Sequence, residues 1–315
     1  MIAFLFPGQG SQFVGMGKAL AETFPECRAL FAEADAAVGA PLSRLCFEGP
    51  PEELTLTENT QPAILTVSVA ADRLLASRGF RPHFMAGHSL GEYSAHVAAG
   101  TLSFADACRT VRLRGHFMQE AVPVGVGAMA AILGLDADLV AQACSEAATG
   151  GEVVSPANVN SPGQVVIAGH TQAVARAGER ARALGAKRVM PLNVSAPFHC
   201  ALMQPAEERL GPVLRALTAR DPAIPVVANV DAAIKRDAAA AIDALVHQVS
   251  RTVRWEAVIR RLASEGVRTY VEIGPGSVLC GLVRKIDGDA RTLSFGEPAG
   301  WPALEALFAG PTLAE

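Results

Sequence analysis

The chain has 315 residues, half of them hydrophobic, with 27 basic against 31 acidic side chains and a net charge of −4. No basic run exceeds two residues, which excludes nucleic acid as the main partner, because phosphate binding needs clustered cations. Six cysteines lie scattered with no C-x-x-C spacing, so neither a zinc site nor a disulfide framework is expected, and the composition suits a cytoplasmic enzyme with a large core.

A short apolar run, Ile2 to Phe6, reads as a first strand and empties into the glycine-rich loop Pro7-Gly8-Gln9-Gly10-Ser11-Gln12. The run is shorter than the roughly 7–15 apolar residues of a signal core and the ~20 of a membrane span, so a mature, soluble amino terminus is expected. Such a loop brings bare amide groups close to a ligand. A dinucleotide fingerprint is disfavoured, because Phe13 stands where the third glycine would fall.

A helical stretch near Thr60 to Ser77 leads to a buried strand, Phe84 to Ala86, then Gly87-His88-Ser89-Leu90-Gly91 and a helix from Glu92 to Ala99. A serine bracketed by glycines between strand and helix is the form of a nucleophile elbow, where side chains at the flanking positions would meet backbone. A serine hydroxyl does not attack alone, so a base and oxyanion donors must come from elsewhere in the chain.

The next helix, Phe104 to Ala121, opens on the capping pattern Ser103-Phe104-Ala105-Asp106. Arg114 shares its apolar stripe with Ala107, Val111 and Met118, and no acid stands three or four residues away. A buried guanidinium wants an anionic partner, for which a carboxylate suits its fork; a snorkelling or tertiary-paired arginine is the alternative. Arg109 and Arg112 point to other faces.

From Gly127 to Val194 the order is strand (128–133), helix (138–148), strand (153–158), strand (165–169), helix (171–184), strand (187–192). That β-α-β-β-α-β series is the split ferredoxin-like unit, and it interrupts an alternation of strands and helices that favours a mostly parallel sheet. The expected fold class is α/β: a large hydrolase-like parallel-sheet domain over residues 1–125 and 196–315, with an inserted small ferredoxin-like domain over 126–195. Beyond the insert, His199 follows Pro197 and precedes the amphipathic run Cys200 to Leu217. A position before a helix amino terminus disfavours imidazolium, which makes His199 the candidate base among seven histidines. His88, beside the elbow serine, reads as a packing group.

These motifs, together with G-A-M-A-A-I at 127–132, N-S-P-G-Q at 160–164, P-F-H-C-A-L-M at 197–203 and E-I-G-P-G at 272–276, resemble the malonyl-CoA:acyl-carrier-protein transacylases of fatty-acid synthesis. The resemblance runs from Phe4 to about Leu293 in the family's order. It implies ping-pong transfer of malonyl from coenzyme A through Ser89 to the phosphopantetheine thiol of an acyl carrier protein, with no metal or other cofactor, by a monomer without membrane attachment. It implies that Arg114 clamps the malonyl carboxylate, that Gln248 accepts a hydrogen bond from the second nitrogen of His199, and that the Leu90 and Gln9 amides face the oxyanion. Leu90 and Phe198 match malonyl users, and Phe198 would fill the space an α-methyl group needs. A serine hydrolase and a catalytically idle docking module are the alternatives; Arg114 and the insert argue against the first, Ser89 and His199 against the second.

Overall fold

The computed structural model describes residues 1–194 and 196–308, so the expected domain limits at 195 and 315 lie outside the described residues. In chain order, β1 (Ile2–Phe6) and β2 (Phe84–Gly87) come first; β3 (Gly127–Leu133), β4 (Val154–Ser161), β5 (Gln164–His170) and β6 (Arg188–Pro191) form a separate group; β7 (Val226–Val227), β8 (Ile234–Lys235), β9 (Thr269–Ile273) and β10 (Arg291–Phe295) return to the first sheet. The larger sheet runs β10-β9-β1-β2-β7-β8, parallel throughout except for the antiparallel edge hairpin of β7 with β8.

Burial on both faces explains why β1 is a continuous apolar run. Phe4 and Phe6 pack on one face with helices Thr57–Ser77 and Phe104–Glu120, whereas Ala3 and Leu5 pack on the other with Trp255–Ser264 and Val278–Ile286. The alternation has the period of two that a strand imposes, and it fixes a three-layer α/β/α core.

The smaller sheet is antiparallel in the order β4-β5-β3-β6, the ferredoxin-like order expected from the sequence. Ala130, Ile132, Val165 and Ile167 pack against its own helices, Ala137–Ala147 and Thr171–Ala183. The intervening residues Met129, Val166 and Ala168 face the core of the larger sheet. Backbone bonds between Val253 and the β4 residues Ala157 and Val159, 2.8 and 2.9 Å, tie the smaller sheet to the segment that leads into the helix Trp255–Ser264. Among the described residues no helix is long and apolar enough to cross a membrane.

Candidate active site

β2 ends at Gly87, Ser89 turns the chain with φ 50° and ψ −108°, and the helix Leu90–Ala98 begins at the next residue. The glycines are dictated by packing: a Cβ on Gly87 would come within 1.9 Å of the Gly91 carbonyl carbon, and one on Gly91 within 1.9 Å of the Phe6 carbonyl oxygen. A non-glycine residue at positive φ costs about 1–3 kcal/mol and persists only where its surroundings hold it. Here the Ser89 amide donates to Asn229 Oδ1 at 2.7 Å, and the Ser89 carbonyl accepts from Gln248 Nε2 at 2.8 Å and from the Glu92 amide at 3.1 Å. Asn229 Nδ2 closes the clamp on the Gly87 carbonyl at 2.8 Å.

The sequence places Ser89 and His199 far apart, and the fold brings Ser89 Oγ within 2.7 Å of His199 Nε2. His199 Nδ1 lies 2.8 Å from the backbone oxygen of Gln248. A carbonyl only accepts, so Nδ1 carries the ring proton and Nε2 is left to receive the serine's. Gln248 therefore meets the histidine through its main chain, while its side chain is engaged elsewhere.

Burial first, and the nearby Arg114 charge second, push His199 down to about 3. This corrects one expectation: a 3₁₀ turn, Ala201–Met203, separates His199 from the helix Gln204–Arg215, so its neutrality comes from desolvation and the arginine, not from a helix dipole. Single-turnover acylation at saturating malonyl-CoA should accordingly stay level from pH 8 down to about 5, as long as the fold holds; a decline with a midpoint near the ordinary ~6.5 would show a solvated imidazole. The fold itself is acid-labile by the same linkage. Burial also lowers His88, and it lowers His96 to about 3. The unfolded chain protonates these rings first, so their contribution is complete above about 6.5 and is lost as pH falls towards 3.

Arg114 is 2% exposed, which rules out snorkelling. Its helix starts at Phe104, capped by the Ser103 hydroxyl that accepts from the Asp106 amide at 3.2 Å. The guanidinium donates to Gln61 Oε1 at 2.8 Å, to Gln248 Oε1 at 2.9 Å and to Ser89 Oγ at 3.1 Å, and its Cζ lies 5.4 Å from the centre of the Tyr93 ring. Every acceptor is neutral. Arg109 turns outward to Asp106, and Arg112, half-buried, donates to the Val38 carbonyl at 2.9 Å.

Ser89, Arg114 and His199 open onto a cleft of about 390 Å³ between the two sheets, lined also by Gln9, Met118, Met129, Val166 and Phe198. The Gly8 loop touches the elbow directly: a Cβ there would sit 2.4 Å from the His88 carbonyl oxygen. Gln9 Nε2 donates to Thr57 Oγ1 at 3.3 Å. The Leu90 side chain, 1% exposed, belongs to the core and does not line the cleft, which leaves its backbone as the part that could face the site. As the first residue of its helix, Leu90 has an amide without an intrahelical acceptor. His88 does not bond to Ser89; its Nε2 lies 2.8 Å from Asn160 Oδ1 and its ring packs on Trp255, as a packing residue should. Among the described residues no group of three His, Cys, Asp or Glu side chains is placed to hold a metal.

Three residues of the site escaped the sequence reading: Gln61, Glu92 and Asn229, all buried. Only Asn229 carried a signal, a polar side chain inside the apolar run Val226 to Val230; Gln61 follows the polar stretch Thr57 to Thr60 and Glu92 stands between Gly91 and Tyr93, so neither stood out.

A serine on a strand–turn–helix elbow, bonded to a buried neutral imidazole on an α/β fold, defines a serine-dependent acyl-transfer class. Residues 3–289 match the acyl transferase domain family. The chain is 53% identical over 302 residues to the malonyl CoA-acyl carrier protein transacylase of Salmonella typhimurium, covering 96% of this chain and 97% of that one. It is 52% identical over 297 residues to the protein of that name from Bacillus subtilis, with 94% of each covered. Among solved structures, the acyl carrier protein S-malonyltransferase of Vibrio cholerae superposes with a TM-score of 0.94 at 47% identity, covering 96% of this chain and 99% of that one. A malonyl-transacylase in complex with its type II PKS acyl carrier protein gives 0.94 at 48% identity, covering 98% of this chain and 99% of that one. The chain belongs to the malonyl-CoA:acyl-carrier-protein transacylase family of acyl transferases.

Proposed function

We propose that this protein moves malonyl from malonyl-CoA to the phosphopantetheine thiol of an acyl carrier protein through an ester on Ser89. The observation that carries the reading is the 2.7 Å bond from Ser89 Oγ to His199 Nε2, with the Arg114 guanidinium 3.1 Å from the same oxygen. Ser89 gives its proton to His199 Nε2 as Oγ attacks the thioester carbonyl; the Leu90 and Gln9 amides receive the oxyanion; the C–S bond breaks, and the departing coenzyme A sulfur takes the proton from His199. The carrier thiol then passes its proton to His199 and attacks the ester, and the proton returns to Ser89 Oγ. The Gln248 carbonyl holds the Nδ1 proton throughout. A carboxylate one methylene beyond the reacting carbonyl falls within reach of Arg114, which forks it, while Phe198 restricts the space beside that methylene.

The chemistry needs no metal or cofactor beyond the acyl-CoA itself. The described residues within 1–125 and 196–315 are read as the catalytic domain, those within 126–195 as the small domain that walls the cleft, and the protein as a cytoplasmic monomer. Steady-state kinetics with malonyl-CoA and holo carrier protein should give parallel double-reciprocal lines, the signature of an acyl-enzyme. Intersecting lines would require both substrates to be bound at once and would overturn the ester.

Exposed Lys187 and Arg188, at the start of β6, are the proposed contacts for an acidic carrier protein. Reversing both charges should raise KM for the carrier protein and flatten its salt dependence, since rim charges act on encounter. Loading of Ser89 from malonyl-CoA should be unchanged; equal damage to loading would move the docking surface elsewhere.

A further inference from the structure

A guanidinium kept out of water is expensive unless an opposite charge lies near. Arg114 forms no ion pair among the described residues, and its partners are two amide oxygens and a hydroxyl. The nearest carboxylate along its hydrogen bonds is Glu92. Gln248 accepts from Arg114 on Oε1 at 2.9 Å and donates from Nε2 to Glu92 Oε2 at 2.7 Å. Glu92 is 0% exposed, takes a second bond from the Asn229 amide at 3.0 Å, and leaves Oε1 without a partner. Among the described residues no basic side chain pairs with Glu92 either. One buried primary amide thus stands between a cation and an anion, neither in a direct ion pair among the described residues, its oxygen turned to the first and its N–H to the second; Lys235 and Asp231, which pair with each other, act on Glu92 only at longer range.

We propose that Glu92 is the counter-ion of Arg114, acting through the side-chain amide of Gln248, and that this indirect pairing sets how tightly the guanidinium holds the free carboxylate of the substrate. The second half rests on reading Arg114 as the carboxylate site. A direct ion pair would occupy the fork and make the substrate compete for it. A bare cation would destabilise the empty enzyme and bind the acyl group too strongly to hand it on. One amide away, Glu92 balances the charge, and the acceptors that meet the guanidinium directly, Gln61, Gln248 and Ser89, are neutral and compete less with a carboxylate than an acid would. Glutamine suits the intermediate position because it accepts at one end and donates at the other. Glu92 is a positioning residue here, since it touches no substrate.

Glu92→Gln removes the charge and keeps the shape and the acceptor. At pH 8, above the value of about 7 to which burial lifts this carboxyl, the variant should show a KM for malonyl-CoA about 3- to 10-fold lower, with the KM for acetyl-CoA unchanged. A merely structural glutamate would damage both substrates alike, and that result would overturn the specificity role. The charge coupling has its own readout. In a thermal-melting cycle of Glu92→Gln, Arg114→Met and the double variant, the double variant should melt well above the sum of the single losses, because it strands no charge. Additive losses, or a double variant that fails to fold as the singles do, would overturn the counter-ion. If coupling is found but the malonyl KM does not fall, the specificity half is overturned. The malonyl-to-acetyl ratio of Arg114→Met alone then reports separately whether Arg114 binds the carboxylate.

Discussion

Ser89→Ala, mixed with malonyl-CoA, should gain no mass, whereas the unaltered protein should gain one malonyl group. Oγ is the atom to which the acyl group bonds and alanine offers no substitute, so transfer should fall by at least about 10⁴-fold. His199→Ala retains the serine but loses the group 2.7 Å away that takes its proton, and acylation should slow by about 10²–10⁴-fold. Neither change touches the hydrophobic core. Both positions hold non-glycine residues at positive φ already, 50° and 59°, so alanine adds no new backbone strain and melting should move little. Intact-mass spectrometry after brief mixing reads the first result and rapid-quench acylation the second. A malonyl adduct that persists in Ser89→Ala would place the nucleophile on another residue.

Arg114→Ala should divide the substrates. Loss of a buried, charge-assisted partner for a carboxylate costs about 2–5 kcal/mol, so malonyl kcat/KM should fall by roughly 30- to several-thousand-fold. Acetyl, which has no second carboxylate, should be transferred as well as before or better, since it no longer meets a guanidinium it cannot pair with. Lysine should rescue malonyl transfer only in part, because a point charge cannot form the fork. Equal losses for malonyl-CoA and acetyl-CoA would make Arg114 a structural residue.

The strand–elbow–helix unit and the inserted β-α-β-β-α-β series were legible because both are local: apolar runs of the right length, broken by glycine and polar turns, with boundaries that hold to within a few residues. Arg114 was legible as an anomaly, a cation on an apolar stripe without an acid in reach. What joins these pieces was not. Asn229 is 140 residues from the Ser89 amide it accepts, and Gln248 is 156 from Glu92. No periodicity encodes such contacts, which exist only once β7 lies beside β2 and the helix Ala238–Gln248 docks behind the elbow. The helix-dipole account of His199 failed for a related reason. Local sequence showed a helix ahead, but the intervening turn and the depth of burial are tertiary facts.

The glycine contacts also act as a spacer gauge. Gly8 rests on the His88 carbonyl and Gly91 on the Phe6 carbonyl, so the loop that carries Gln9 and the helix that opens at Leu90 touch backbone to backbone at two points on either side of the serine. Neither glycine could take a side chain without pushing the two elements apart. The spacing between the Gln9 loop and the Leu90 helix is thereby gauged by the main chain and not by side chains, and in the proposed reaction that one spacing would meet the acyl group both on coenzyme A and on the carrier protein.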